Sequence, residues 1–217
     1  MRYRRAMARK PHEPAEDVGS ERHTLALPHL FDSLRRAGDH RVLDLGPAAG
    51  TNLETFSQLG CRLHVADLYR GLAGSGATPA DDAGRWHDTF AALLPSPGAG
   101  EPFDAILAWD LLDYLGRRQR KALMDLVLPL CRPGALFFCM VSIRAAIPAR
   151  PLAYRIVAPD RLMAGGDPDP VRPGPKLHQP DLLRAMPGFR VFKSFLLRHG
   201  VQEYLLVSDT LDESETA

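Results

Sequence analysis

The sequence predicts an α/β fold, in which a mostly parallel β-sheet lies between two layers of helices. Short, continuously apolar runs alternate with helix-like segments, as expected for strands that are buried on both faces. The run Arg41–Leu45 enters a glycine-bracketed turn and then a helix-like segment, which is a strand–turn–helix pattern. The last two predicted strands, Phe189–Arg198 and Gln202–Val207, are joined by a short turn at 199–200 and form an antiparallel hairpin.

The first half of the chain alternates helices and strands. Apolar residues recur at helical intervals in Leu25–Ala37, which predicts a helix before the first strand. A helix around Leu53–Leu59 separates the first strand from the second, Arg62–Ala66. The third strand is expected to be short, at Arg85–His87 with Asp88 at its tip.

The second half continues the same alternation. Phe103–Trp109 predicts a buried fourth strand, and Tyr114–Leu130 predicts a helix with a basic outer face. The turn at 133–134 leads into the fifth strand, Ala135–Ile143. A short helix at Asp181–Ala185 precedes the terminal hairpin.

Composition divides the chain into one domain and its appendages. Residues 1–24 are basic and polar and predict a disordered tail, residues 25–209 form a single domain, and residues 210–217 form an acidic tail. Within the domain, residues 144–178 are rich in proline and glycine. They predict a long loop or lid, with one helical turn near Leu152–Ile156.

Charge and cysteine content narrow the functional classes. The chain has 217 residues and a net charge of +1, so it carries no strong signal for nucleic acid or an anionic membrane. Cys61, Cys131 and Cys139 form no metal-binding or redox pair, the histidines show no ligand spacing, and no metal site is predicted. No apolar run is long enough to span a bilayer. We therefore expect a cytoplasmic protein.

The turn after the first strand distinguishes two kinds of nucleotide site. A dinucleotide-binding turn has three glycines, whereas only Gly46 and Gly50 are present here. The segment Val42–Gly50 instead resembles motif I of the class I S-adenosylmethionine (SAM)-dependent methyltransferases, commonly (Asp/Glu)-x-Gly-x-Gly-x-Gly. Asp44 and the two glycines match that pattern. Ala48 replaces the middle glycine, so its backbone must be right-handed or the turn must be slightly opened.

Three further segments match the same family in the expected order. Asp67 is the acid after the second strand, Phe103–Leu115 matches the fourth strand and the loop beside the cofactor, and Leu130–Leu136 matches the turn before the fifth strand. The resemblance covers residues 38–209. It implies a Rossmann-like three-layer sandwich with a mostly parallel seven-stranded sheet, a C-terminal antiparallel hairpin, and SAM as the cofactor.

The resemblance also implies a set of cofactor-binding residues, namely Asp44, Gly46, Ala48, Gly50, Asp67, Leu68, Asp88, Trp109 and Asp110. The first four would hold the methionyl half of SAM, and Asp67 would accept hydrogen bonds from both ribose hydroxyls. Leu68 and Asp88 would contact adenine. Trp109 and Asp110 would border the transferred methyl group. Structural roles remain open for these residues, because Asp44 or Asp67 could cap the following segment and Trp109 could belong to the core.

The resemblance implies methyl transfer by in-line displacement at the sulfonium. Its leaving group is good, so alignment and exclusion of water are the main tasks of the protein. Such an enzyme needs no diagnostic catalytic residue, and the sequence offers only weak candidates for a base: Asp110, Asp113, Tyr114 and His178. Each could equally be a solvated surface residue. A small-molecule acceptor is predicted because the chain has no basic patch and no second domain.

Two alternatives from other functional classes remain at this stage. A non-catalytic SAM-binding or scaffold domain is suggested by Ala48 and by the lack of a diagnostic base. A nicotinamide-dependent oxidoreductase is disfavoured by the missing third glycine and by the terminal hairpin. The oligomeric state is not predicted.

Overall fold

A computed structural model describes residues 19–35, 39–70, 83–98, 100–166, 170–175 and 177–209. Its strands are β1 (Ser20–His23), β2 (Arg41–Asp44), β3 (Arg62–Val65), β4 (Phe103–Trp109), β5 (Cys131–Ser142), β6 (Ala146–Pro148), β7 (Ala153–Ala158), β8 (Arg161–Gly165), β9 (Val171–Pro173), β10 (Phe189–Leu196) and β11 (Val201–Ser208). Its α-helices are α1 (Leu27–Leu34), α2 (Gly50–Gln58), α3 (Ala83–Ala91), α4 (Arg117–Val127) and α5 (Gln179–Ala185).

The main sheet has six strands in the order β10-β11-β5-β4-β2-β3. The four strands from β3 to β5 in this order are parallel, β11 is antiparallel to β5, and β10 is antiparallel to β11. This arrangement confirms the α/β class and the terminal hairpin. The sheet is nevertheless mixed, and the described residues form six of its strands rather than the seven that were predicted.

The missing strand is the one predicted at Arg85–His87. These residues lie within helix α3. Trp86 and Phe90 are both buried, and their rings lie 5.7 Å apart. Their spacing of four residues is that of one helix face, whereas a three-residue strand is too short to show any period.

Helices cover both faces of the main sheet, as predicted. One face packs against α3, α4 and α5 in a core that includes Phe90, Leu123 and Leu182. The other face packs against α1 and α2 through Phe31 and Phe56. Within the described residues, no helix is both long and apolar enough to cross a bilayer.

Residues 144–178 are not the irregular loop that the sequence predicted, because they contain β6 to β9. Leu152–Ile156, predicted as a helical turn, runs largely within strand β7. Strands β7 and β8 form a hairpin, and β1 completes a three-stranded sheet in the order β1-β8-β7. Tyr154, Ile156 and Leu162 from this hairpin are buried in the same core as α1 and α2. Local alternation of apolar residues therefore outweighs the flanking prolines, which lie outside the strands of the hairpin.

The small sheet also corrects the predicted tail. Ser20–His23, placed in the disordered segment 1–24, pair with Arg161–Ala164 of β8. Residues 1–18 and the acidic tail 210–217 lie outside the described residues. The folded domain therefore begins earlier than residue 25.

Asn52 fixes the small sheet to helix α2. Its side-chain amide donates to the carbonyl of Tyr154 at 3.0 Å, and its carbonyl oxygen accepts from the backbone N–H of Ile156 at 2.8 Å. The asparagine is almost completely buried. Because both bonds are shielded from water, the hairpin is held as part of the domain core.

Candidate active site

The carboxyl ends of the parallel strands carry a cluster of acids. Asp44 ends β2, and Asp67 follows β3. Asp110 follows β4, and Asp113 lies in the short 3-10 helix that comes next. Because parallel strands end at one edge of a sheet, this is the edge at which ligands bind in open α/β folds.

The turn after β2 is organised around one oxygen of Asp44. Its Oδ1 accepts hydrogen bonds from the backbone N–H of Gly46 at 2.8 Å and from Nε1 of Trp109 at 2.7 Å. Its Oδ2 is buried and has no hydrogen-bond partner. Burial raises the pKa of Asp44 to about 6, and the donors of Trp109 and Gly46, together with the nearby Asn52 side chain, oppose that shift. A ligand donor that reached Oδ2 would further stabilise the ionised form.

Trp109 occupies the open side of Gly46. A Cβ atom on that glycine would lie 2.7 Å from Cδ1 of the indole, so no larger residue fits there. The indole stacks in turn on the ring of Tyr154, with centroids 5.7 Å apart and an interplanar angle of 13°. Trp109 therefore lies where a side chain on residue 46 would project.

The rest of the turn remains open. A Cβ atom on Gly50 would meet nothing within 4 Å, and Ala48 is exposed. Among described non-glycine residues, only Asp39, Asp67 and Trp109 have positive φ. Ala48 therefore avoids the left-handed region, as the substitution of the middle glycine requires.

Asp67 has the geometry expected of an acid that receives a ligand. Its backbone is left-handed, with φ of 45°. Oδ2 lies 3.1 Å from Nε of Arg70, whose side chain is largely exposed, and Oδ1 is buried without a hydrogen-bond partner among the described residues. One acceptor oxygen is thus free for a donor from outside the protein.

The predicted adenine contacts are not assembled in this structure. Leu68 is completely buried in the hydrophobic core. Asp88 lies on α3 rather than at a strand tip, with its side chain 88% exposed and 3.8 Å from Nδ1 of His87. Residues 71–82, which connect the two, lie outside the described residues.

Asp110 is a fully engaged carboxylate. Oδ1 accepts from the hydroxyl of Tyr69 at 2.7 Å, while Oδ2 accepts from the hydroxyl of Tyr154 at 3.2 Å and from the backbone N–H of Leu152 at 3.3 Å. Burial raises its pKa to about 6, and these donors oppose the shift. The carboxylate joins the end of β4 to residues 144–178, and each of its oxygens already accepts at least one hydrogen bond.

Asp113 differs from Asp110 in having a free oxygen. Oδ2 accepts from the backbone N–H of Ser142 at 2.9 Å, whereas the buried Oδ1 has no hydrogen-bond partner. Burial, with a smaller contribution from the charge of Asp110, raises its pKa to about 7, while the hydrogen bond from Ser142 and the charges of Arg120 and Arg172 oppose the rise. A carboxyl group that titrates near neutrality is suited to accept a proton.

A cavity of about 190 Å³ lies beside these acids, at the ends of β4 and β5. Asp110, Asp113 and Tyr114 line it, and the hydroxyl of Tyr114 donates to the carbonyl of Pro148 at 3.1 Å. His178 is exposed at the start of α5 and does not line the cavity. The structure therefore brings three of the four predicted base candidates together.

Sequence reasoning missed several residues of this cavity. Arg22 lines it from β1, Tyr154 from β7, and Arg144 from the segment after β5. The guanidinium of Arg22 lies over the ring of Tyr154, 5.9 Å from its centroid. None of these residues belongs to a local motif, because pairing between segments far apart in sequence brings them together.

Comparison with known proteins gives the family. Residues 6–190 match the family described as "Methyltransferase domain", which is well over half of the chain. The chain belongs to this methyltransferase family. The match confirms the predicted family and, with it, the enzyme class and SAM as the family's cofactor. No curated protein sequence matches the chain.

Several solved structures have a similar fold. The PH0226 protein from Pyrococcus horikoshii is 12% identical with a TM-score of 0.51, covering 84% of this chain and 87% of that one. The N-methyltransferase NodS from Bradyrhizobium japonicum is 15% identical with a TM-score of 0.48, covering 85% and 96%. A Burkholderia thailandensis 1,6-didemethyltoxoflavin-N1-methyltransferase, crystallised with S-adenosylhomocysteine, is 17% identical with a TM-score of 0.43, covering 85% and 79%. Only the first is similar enough in shape to support the fold assignment.

Proposed function

We propose that this protein transfers a methyl group from SAM to a small-molecule acceptor. The cofactor would bind at the ends of β2 and β3, and the acceptor would bind in the 190 Å³ cavity. One observation carries the cofactor assignment: Asp44 Oδ2 and Asp67 Oδ1 are buried acceptor atoms without hydrogen-bond partners in the described part of the chain. Buried polar atoms are rarely left unpaired, so each fits a hydrogen-bond donor supplied by a ligand.

The two acids would recognise different parts of the cofactor. Asp44 would accept from the amino group of the methionyl half, and Asp67 would accept from the ribose hydroxyls. The backbone of Ala48–Gly50, at the open start of α2, would lie along the same half as Asp44. Gly46 would act indirectly, because its lack of a side chain makes room for Trp109.

SAM supplies an activated methyl group on a positively charged sulfur. The protein has to align the acceptor with it and keep water away. Trp109 lies against the cofactor turn, while Tyr154, stacked on it, lines the acceptor cavity. The aromatic pair would therefore form the wall between the two sites and set the direction of approach.

Residues 144–178 would cover the acceptor cavity as a fixed part of the domain rather than as a moving lid. We therefore propose a single domain that includes β1 and the 144–178 segment, in place of a domain with a separate lid.

Cys61, Cys131 and Cys139 are free thiols, which suits a reducing compartment such as the cytoplasm.

Calorimetric titration with SAM, S-adenosylhomocysteine and reduced nicotinamide cofactor tests the proposal. We expect both sulfur ligands to bind and the nicotinamide to release no heat. Transfer of a labelled methyl group from SAM to a small-molecule cell fraction then separates an enzyme from a non-catalytic SAM-binding domain. Binding without any labelled product would support the non-catalytic alternative, and absence of SAM binding would contradict the proposal as a whole.

A further inference from the structure

We propose that the cavity binds a small zwitterionic acceptor of the amino-acid class and that the amine nitrogen of this acceptor is methylated. Its ammonium group would face Asp113, and its carboxylate would face Arg22 and Arg144. This inference rests on the proposed function and specifies its substrate.

Charges of opposite sign line the cavity without neutralising each other. Among the residues that the structure describes, Asp113 forms no ion pair and its Oδ1 has no hydrogen-bond partner, although the charges of Arg120 and Arg172 favour its ionised form. Arg22 lies over the ring of Tyr154, and Arg144 donates through Nε to the carbonyl of His199. Within the described residues, neither arginine forms an ion pair with a carboxylate. The cavity thus offers one unpartnered carboxylate oxygen and two guanidinium groups that form no ion pair within the described residues.

A ligand that carries both charges can pair with the acid and the arginines of the cavity at once, whereas a ligand with one charge cannot. A carboxylate alone would leave the buried Asp113 unpaired, which is costly, and an ammonium alone would leave the half-buried Arg22 and the exposed Arg144 without a partner. A neutral alcohol would leave both unpaired. Arginine is also suited to bind a carboxylate through two parallel hydrogen bonds.

The remaining walls limit the size and polarity of the ligand. At about 190 Å³, the cavity is smaller than the roughly 300–1,000 Å³ of sites for drug-sized ligands. Ile147, Leu152 and Val201 contribute apolar side chains to its lining. A compact amino acid with an apolar side chain fits these properties.

Asp113 would remove the proton that makes the acceptor amine unreactive. Its carboxylate takes one proton from the ammonium group, which frees the nitrogen lone pair. The nitrogen then forms a bond to the methyl carbon, the carbon–sulfur bond breaks, and its electron pair stays on a now neutral sulfur. Asp110 cannot take this role, because Tyr69, Tyr154 and Leu152 already donate to both of its oxygens. The proton on Asp113 leaves to water after the product.

Ligand binding to the full chain saturated with S-adenosylhomocysteine tests the inference without turnover. Each standard amino acid is screened by thermal shift, and the best one is titrated by calorimetry beside its decarboxylated amine and its deaminated acid. We expect the amino acid to bind at least about tenfold more tightly than either analogue, since each analogue leaves charged groups at one end of the cavity without a partner.

Two variants assign the two ends of the ligand. Asp113→Asn should weaken binding of the amino acid and the amine but not of the acid. Arg22→Gln should weaken binding of the amino acid and the acid but not of the amine. Asp125→Asn and Arg161→Gln are matched controls, because both residues are solvent-accessible and outside the cavity.

The possible outcomes separate this inference from the proposed function. Binding of S-adenosylhomocysteine with no response to any amino acid would overturn the zwitterion assignment alone. An amine analogue that binds as tightly as its amino acid would overturn the role of the arginines. Failure to bind S-adenosylhomocysteine would instead contradict the methyltransferase function. If a variant does not fold, the comparison of the three ligands on the unchanged protein still decides.

Discussion

The two ends of the site are built in different ways. At the cofactor end, Asp44 and Gly46 belong to one turn, two residues apart, and Asp67 follows the neighbouring parallel strand. At the acceptor end, Arg22 on β1 and Tyr154 on β7 join Asp113 in one cavity. The contrast indicates that the cofactor turn is a local motif, whereas the acceptor cavity depends on a small sheet formed by distant segments.

Replacing the proposed base should give the largest difference between an effect on methyl transfer and an effect on SAM binding. We expect Asp113→Asn to lower the rate of methyl transfer to the best-binding amino acid by about 10²–10⁴-fold, the usual worth of a positioned base. The affinity for SAM should stay unchanged, because Asp113 lies at the acceptor end. Single-turnover kinetics and calorimetry measure the two quantities. A loss of SAM affinity equal to the loss in rate would show that the ends are not independent.

Gly46 and Gly50 provide a matched pair within the cofactor turn. Gly46→Ala places a methyl group 2.7 Å from the indole of Trp109, and we expect it to lower the free energy of unfolding by about 1–3 kcal/mol, as overpacking does. Gly50→Ala meets no atom within 4 Å, so it should change stability by less than about 1 kcal/mol. Urea denaturation of both variants measures the difference. Equal effects would mean that the indole does not pack on Gly46.

The pH dependence of stability tests the burial of Asp113. Its folded pKa is raised to about 7 by burial and by Asp110, so the folded state binds a proton that the unfolded state has lost. The stability linked to this group is present at low pH and falls as pH rises towards the folded pKa, by up to about 1.4 kcal/mol per pH unit. Asp113→Asn should remove that part of the slope, whereas the exposed Asp125→Asn should not. If the free energy of unfolding changed with pH in the same way in all three proteins, the burial of Asp113 would be contradicted.

The sequence was sufficient where structure depends on neighbouring residues. The Asp44 turn and the terminal hairpin follow from local glycine placement and apolar runs, and both are present. The small sheet could not be predicted from neighbouring residues, because β1 pairs with β8 across most of the chain. The packing of Trp109 on Gly46 could not be predicted either, since this contact joins the ends of two strands that are distant in sequence. Leu68 and Asp88 were assigned by analogy, and neither is placed for that role here.

Asp67 provides the most direct test of the central claim, that SAM binds at the ends of β2 and β3. We expect Asp67→Ala to weaken SAM binding by about 1.5–3 kcal/mol in calorimetric titration, because charge-assisted hydrogen bonds to the ribose are lost. Asp88→Ala is the matched control, since its side chain is exposed on α3, and it should leave the affinity unchanged. Unchanged affinity in Asp67→Ala, with the fold intact by circular dichroism, would contradict the claim.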